Sequence, residues 1–86
     1  MEEINEFDVI RIKAIILDSK ERGNLAPEDI RRDPKIGETG TVVFKYEHRN
    51  NEKQRYIIER CVDDGRPIWL ADFIIDELEI TTRYKR

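Results

Sequence analysis

Eighty-six residues suffice for one domain with a modest core. Charged residues reach 41% against 38% hydrophobic, both signs are interspersed, and the net charge is −3 with a pI near 5.2, a balance that speaks against generic binding to nucleic acid or anionic membranes. The single cysteine forbids an intramolecular disulfide and suits a reducing cytoplasm, and no apolar run approaches the roughly 20 residues that span a bilayer.

In chain order, residues 1–6 are acidic, lack the basic-then-apolar pattern of a signal peptide and are expected to be flexible, as are residues 83–86. Phe7–Leu17 reads as a strand. Ile10, Ile12, Ala14 and Ile16 fall on one face at period two, and Arg11 and Lys13 on the other. Asp18–Lys35 is a long charged connection with Gly23, Asn24, Pro27 and Pro34, expected to be mobile. One helical turn is predicted from Pro27, where Glu28 and Asp29 suit the positive end of the dipole, and Asp33-Pro34 ends it. Gly37 and Gly40 then lead into a β-branched, aromatic run, Thr41–Tyr46, which reads as the second strand.

Glu47–Gln54 is polar, with a paired asparagine suited to a turn. Arg55–Val62 is the third strand, and Asp64-Gly65 a strong hairpin signal. Pro67–Leu70 is a short fourth strand carrying Trp69, Ala71–Glu77 a helical or 3-10 turn, and Leu78–Thr82 the closing strand. The expected core is Ile10, Ile12, Ile16, Val42, Phe44, Ile58, Val62, Leu70 and Leu78, with Trp69.

This order resembles the SH3-like small barrels: an all-β single domain of about five strands with a long first loop. The carrying residues are Asp8-Val9-Ile10-Arg11-Ile12, Ile36-Gly37-Glu38-Thr39-Gly40-Thr41-Val42-Val43, and Asp76-Glu77-Leu78-Glu79-Ile80. More narrowly, the pattern is similar to short bacterial proteins of unknown function and to accessory proteins of photosynthetic electron transport. Among the latter are the small stromal subunit of photosystem I, the variable chain of ferredoxin–thioredoxin reductase and a ferredoxin-docking subunit of the NADH-dehydrogenase-like complex. The resemblance implies a non-catalytic accessory or interaction subunit. Members that dock acidic ferredoxins tend to present basic surfaces, and this chain departs from them in being net acidic. The Gly-x-x-Gly-x-Val block is also similar to KOW-type modules of ribosomal and transcription proteins, which implies an alternative as an RNA- or ribosome-associated module.

No catalytic constellation stands out. His48 is the only histidine and sits in a polar hairpin without a partner base or nucleophile; the bland reading is a solvated loop residue. One Cys and one His cannot make a sulfur/nitrogen zinc site, and Cys61 reads as a small apolar filler. Asp63, Asp64, Asp72, Asp76, Glu77 and Glu79 do not follow EF-hand spacing and read as a solvated acidic edge. The glycine turn enters a strand and lacks the Lys-Ser/Thr ending of a phosphate loop. Catalytic, cofactor and metal sites are therefore all expected to be absent.

Two constellations carry the partner-binding expectation. Trp69 with Tyr46, Tyr56 and Phe73 either fills the core, the favoured reading for a sole Trp, or lines a peptide groove. Arg49, Lys53 and Arg55, joined by Arg60, make the central hairpin mildly basic, diluted by Glu47, Glu52 and Glu59. The expected partner is a protein, with nucleic acid second, no membrane, and a monomeric chain.

Overall fold

The computed structural model describes residues 3–84. Five strands, β1 (Val9–Ile12), β2 (Thr39–Lys45), β3 (Arg55–Cys61), β4 (Pro67–Ile74) and β5 (Leu78–Thr82), form one antiparallel sheet in the order β4-β3-β2-β1-β5. The fold is mainly β, as the β-branched runs imply. Its edge strands, β4 and β5, are joined by a 3-10 turn, Ile75–Glu77, and do not pair, so the sheet is not closed into a barrel. No described helix is long and apolar enough to cross a membrane.

The inner face holds Ile10, Ile12, Val42, Ile58, Leu78 and Trp69, all expected there, together with Tyr56 and Phe73. The two glycines have separate causes. Gly37 turns the chain with φ +95°, its N–H donating to the Ile12 carbonyl at 2.8 Å. Gly40 lies within β2, where a Cβ would come within 2.7 Å of the Glu59 carbonyl oxygen and 2.9 Å of the Trp69 ring. One glycine makes the turn; the other lets strand and indole approach.

Several expectations need correction. The first strand ends at Ile12, and Ile15 and Ile16 are exposed, so Ile16 is not core. The chain leaves the sheet there because the Ile16 and Leu17 amides donate to Glu77 instead of to a strand, at 2.7 and 3.2 Å. Val62 and Leu70 are half-buried, and Phe44 is 45% exposed. Cys61 is exposed rather than a filler, at a register shift that ends the β3–β4 ladder. The fourth strand runs four residues further than expected, to Ile74. At the ends, Ile4 is 2% exposed, and Arg83 donates to the Glu3 carbonyl at 3.1 Å. Residues 3–6 and 83–84 therefore pack onto the domain, and residues 1–2 and 85–86 lie outside the described range.

The long connection is tied down. Its helical turn, α1 (Ser19–Arg22), begins earlier than expected, where the Asp18 carboxylate accepts from the Glu21 amide at 2.7 Å and Glu21 reaches back, a reciprocal cap. At Pro27 there is only a turn closed by Ile30. The connection then covers the outer edge of β4. Leu25 N–H donates to the Leu70 carbonyl (2.9 Å), Arg32 N–H to the Ile68 carbonyl (3.0 Å), and Leu70 N–H to the Asn24 side chain (3.2 Å). Arg22 Nη1 donates to the Asp72 carbonyl at 2.9 Å. An edge that would otherwise template pairing is thus occupied by the chain itself.

Under that cover lies a buried ion pair. Glu77, expected on a solvated acidic edge, is fully buried, and Arg22 is 6% exposed. Glu77 accepts from Arg22, from the Ile16 and Leu17 amides and from the Ile74 amide (3.0 Å), and Arg22 also donates to the Leu17 carbonyl (3.1 Å) and sits 4.3 Å over the Phe73 ring. Burial pushes the Glu77 carboxyl up, but these donors outweigh it and hold it below the usual carboxylate range.

Candidate functional site: an outward aromatic face

The site begins with one extra residue. β2 and β3 pair Val42 with Ile58, then Phe44 with Ile57 and Lys45 with Tyr56; Val43 is the bulge. Because side chains alternate with period two, a slip of one residue inverts every side chain beyond it. Val42 opposite Ile58 points into the core. After the bulge, Phe44 and Tyr46 point outward, and Lys45 takes the inner side opposite Tyr56, its ammonium escaping to Glu3 at 2.6 Å.

The register of β3 and β4 completes the outer face. Ile57 pairs with Phe44 and with Asp72, and Arg55 pairs with Ile74 and lies beside Tyr46, whose N–H donates to the Arg55 carbonyl at 3.1 Å. Phe44, Ile57 and Asp72 make one row, and Tyr46, Arg55 and Ile74 the next. A groove of about 660 Å³ runs over this face, walled by Leu17 on one side and by Glu47, Arg49, Glu52 and Lys53 of the hairpin on the other.

The aromatic wall is held rigidly. The Phe44 and Tyr46 rings meet edge to face, centroids 5.1 Å apart. The Tyr46 hydroxyl donates to Asp72 Oδ1 at 3.1 Å, and Arg55 Nη1 lies 3.5 Å from Asp72 Oδ2. Burial raises the Asp72 carboxyl, partly offset by Tyr46 and by the Arg55 and Arg22 charges, and raises the Tyr46 hydroxyl with help from Asp72. Arg22 donates to the backbone of both Leu17 and Asp72, so the buried ion pair ties the Leu17 wall of the groove to its β4 floor.

Of the seven residues singled out in the sequence, Tyr46, Arg49, Lys53 and Arg55 line this groove. Tyr56, Trp69 and Phe73 do not join them; at 0–1% exposure they fill the core. Trp69 instead donates its indole N–H to Glu38 at 3.1 Å. Lys53 pairs with Asp76 at 3.0 Å, both side chains well exposed, and among the described residues Arg49 makes no ion pair. Sequence reasoning missed Phe44, Ile57, Leu17, Asp72 and Ile74. The available signal was Val42-Val43-Phe44, three apolar residues that break the alternation of an ordinary half-buried strand.

His48 sits at the rim of a second, wider hollow, its Nε2 3.0 Å from the Glu52 carbonyl oxygen. Desolvation and the Glu59 carboxylate hold the Cys61 thiol above its ordinary value, which disfavours the thiolate. Among the described residues no three His, Cys, Asp or Glu side chains gather as a metal site. Compared with protein-family models, curated proteins and solved structures, the chain matches none.

Proposed function

We propose that this is a non-catalytic, cytoplasmic accessory protein of SH3-like architecture that docks onto a larger protein through the outer face of β2, β3 and β4. The observation that carries the reading is Phe44, a 45% exposed aromatic turned out of the core by a bulge and braced against a hydrogen-bonded Tyr46. Bulges recur where a strand must re-aim a side chain at a working surface, and rigid aromatics are the residue type that anchors protein interfaces. The architectural part is supported by the strand order, by the long connection between β1 and β2, and by the 3-10 turn before β5.

A second reading, a KOW-like RNA-binding module, draws on the gathering of Tyr46 and Phe44 with Arg49, Lys53 and Arg55. Glu47, Glu52 and Asp72 share that groove and cancel its charge, so the protein reading is preferred. One experiment separates them: capture from a source lysate with wild-type and Phe44→Ser bait, with and without nuclease. A defined protein retained by wild type after nuclease and lost with Phe44→Ser supports docking. RNA-linked proteins lost on nuclease treatment support the second reading, and identical eluates from both baits remove the role given to this face.

A further inference from the structure

The groove is charge-balanced while the chain is not. Its lining carries three cations, Arg49, Lys53 and Arg55, against three carboxylates, Glu47, Glu52 and Asp72, within a chain of net charge −3. A uniformly acidic or basic partner would leave one set opposed to it. A surface with equal and interspersed charges is matched by another copy of itself.

The apolar part has the same property. Phe44, Tyr46, Ile57 and Ile74 surround the diagonal pair Arg55 and Asp72, which at 3.5 Å and with side chains 37% and 21% exposed is a loose contact open to a better partner. A two-fold axis in the plane between two such faces, passing between Arg55 and Asp72, sets the Arg55 of each copy over the Asp72 of the other. Residue i meets j and j meets i, the requirement for a closed dimer.

From this charge balance and symmetry we infer that the protein self-associates through the outer face of β2–β4 as a two-fold dimer. The dimer occludes the docking groove, so binding of a partner requires its dissociation. The inference uses the same face as the proposed docking site and adds its regulation.

Sedimentation equilibrium of the purified chain across micromolar to millimolar concentrations tests it. Wild type is expected to rise from 10.3 kDa toward twice that mass. Arg55→Asp and Asp72→Arg, each alone, set like charges against each other and are expected to weaken the dimer at least about tenfold. Mixed together they restore opposite pairing and are expected to form a heterodimer. Phe44→Ser, at an exposed position, is expected to be monomeric with its fold intact, judged by far-ultraviolet circular dichroism and Trp69 fluorescence. A wild-type mass of 10.3 kDa throughout overturns the inference, as does a dimer indifferent to Phe44→Ser or a mixture of the reversed variants that stays monomeric. A wild-type monomer that still captures a protein partner removes the dimer alone; a wild-type dimer whose bait, diluted until it is monomeric, captures no partner removes the docking reading alone.

Discussion

Replacing Glu77 by Gln keeps the shape of the side chain and removes its charge, and the consequence follows from the geometry of the site. Oε2 accepts from the Ile16 and Leu17 amides and from Arg22 Nη2; Oε1 accepts from the Ile74 amide and Arg22 Nη1. A glutamine oxygen placed at the first position keeps three donors served, but its NH2 then faces two donors where an acceptor is needed. Breaking a buried ion pair from one side costs about 3–5 kcal/mol. A domain of this size has on the order of 4–13 kcal/mol in total, so the melting temperature is expected to fall by about 15–25 °C.

Arg22→Met is expected to cost less, about 1–3 kcal/mol, because three backbone amides still stabilise the carboxylate. Thermal and urea unfolding followed by circular dichroism measures both. A Glu77→Gln loss under about 1 kcal/mol, or an Arg22→Met loss larger than it, would refute the view that Glu77 is chiefly a cap for the chain where it leaves the sheet.

Glu38 gives a pH dependence. Hydrogen bonding from Arg32, against some desolvation and with the Lys35 amide and Trp69 indole, holds its carboxyl at about 2 rather than 4.5. A folded value below the unfolded one stabilises at neutral pH, by about 1–2 kcal/mol once solvent screening of the 40% exposed Arg32 is allowed for, and this is lost as pH falls from about 4.5 toward 2; Glu38→Gln should flatten the acid limb of an unfolding titration. Gly40→Ala drives a methyl against the Glu59 carbonyl and the Trp69 ring and is expected to destabilise by about 1–3 kcal/mol in urea unfolding, with a changed Trp69 emission. Hydrogen exchange should find the Leu25 and Arg32 amides protected by their bonds to β4, and free exchange at both would mean that the long connection is mobile after all.

Much of the fold could be read from local chemistry. The β-branched runs, the Asp64-Gly65 and Asn50-Asn51 turns and the Gly37 turn each act within a few residues, and their strands and hairpins form as expected. The reciprocal cap of Asp18 and Glu21 is just as local, a signal in the sequence as direct as Pro27. What could not be read depends on distant partners. Ile16 looks like a core strand residue until Glu77, sixty-one positions away, takes its amide. Glu77 looks like a surface acid until Arg22 meets it. The Phe44 side chain is assigned to the core by its alternation with Val42, and only the pairing with β3 places a bulge between them. The candidate site follows the same division: Tyr46, Arg49, Lys53 and Arg55 were visible by type, whereas the apolar floor that unites them exists because of the slip.

The docking face, the proposed partner binding and the dimer all rest on the register of β2 past Val43, and nuclear Overhauser contacts of the Phe44 ring measure it directly. Contacts from Phe44 to Tyr46 and Ile57, with none to Trp69 or Phe73, are the predicted result. Strong contacts from Phe44 to Trp69, Phe73 or Ile58 would place its ring in the core, remove the bulge and take the outward aromatic face with it.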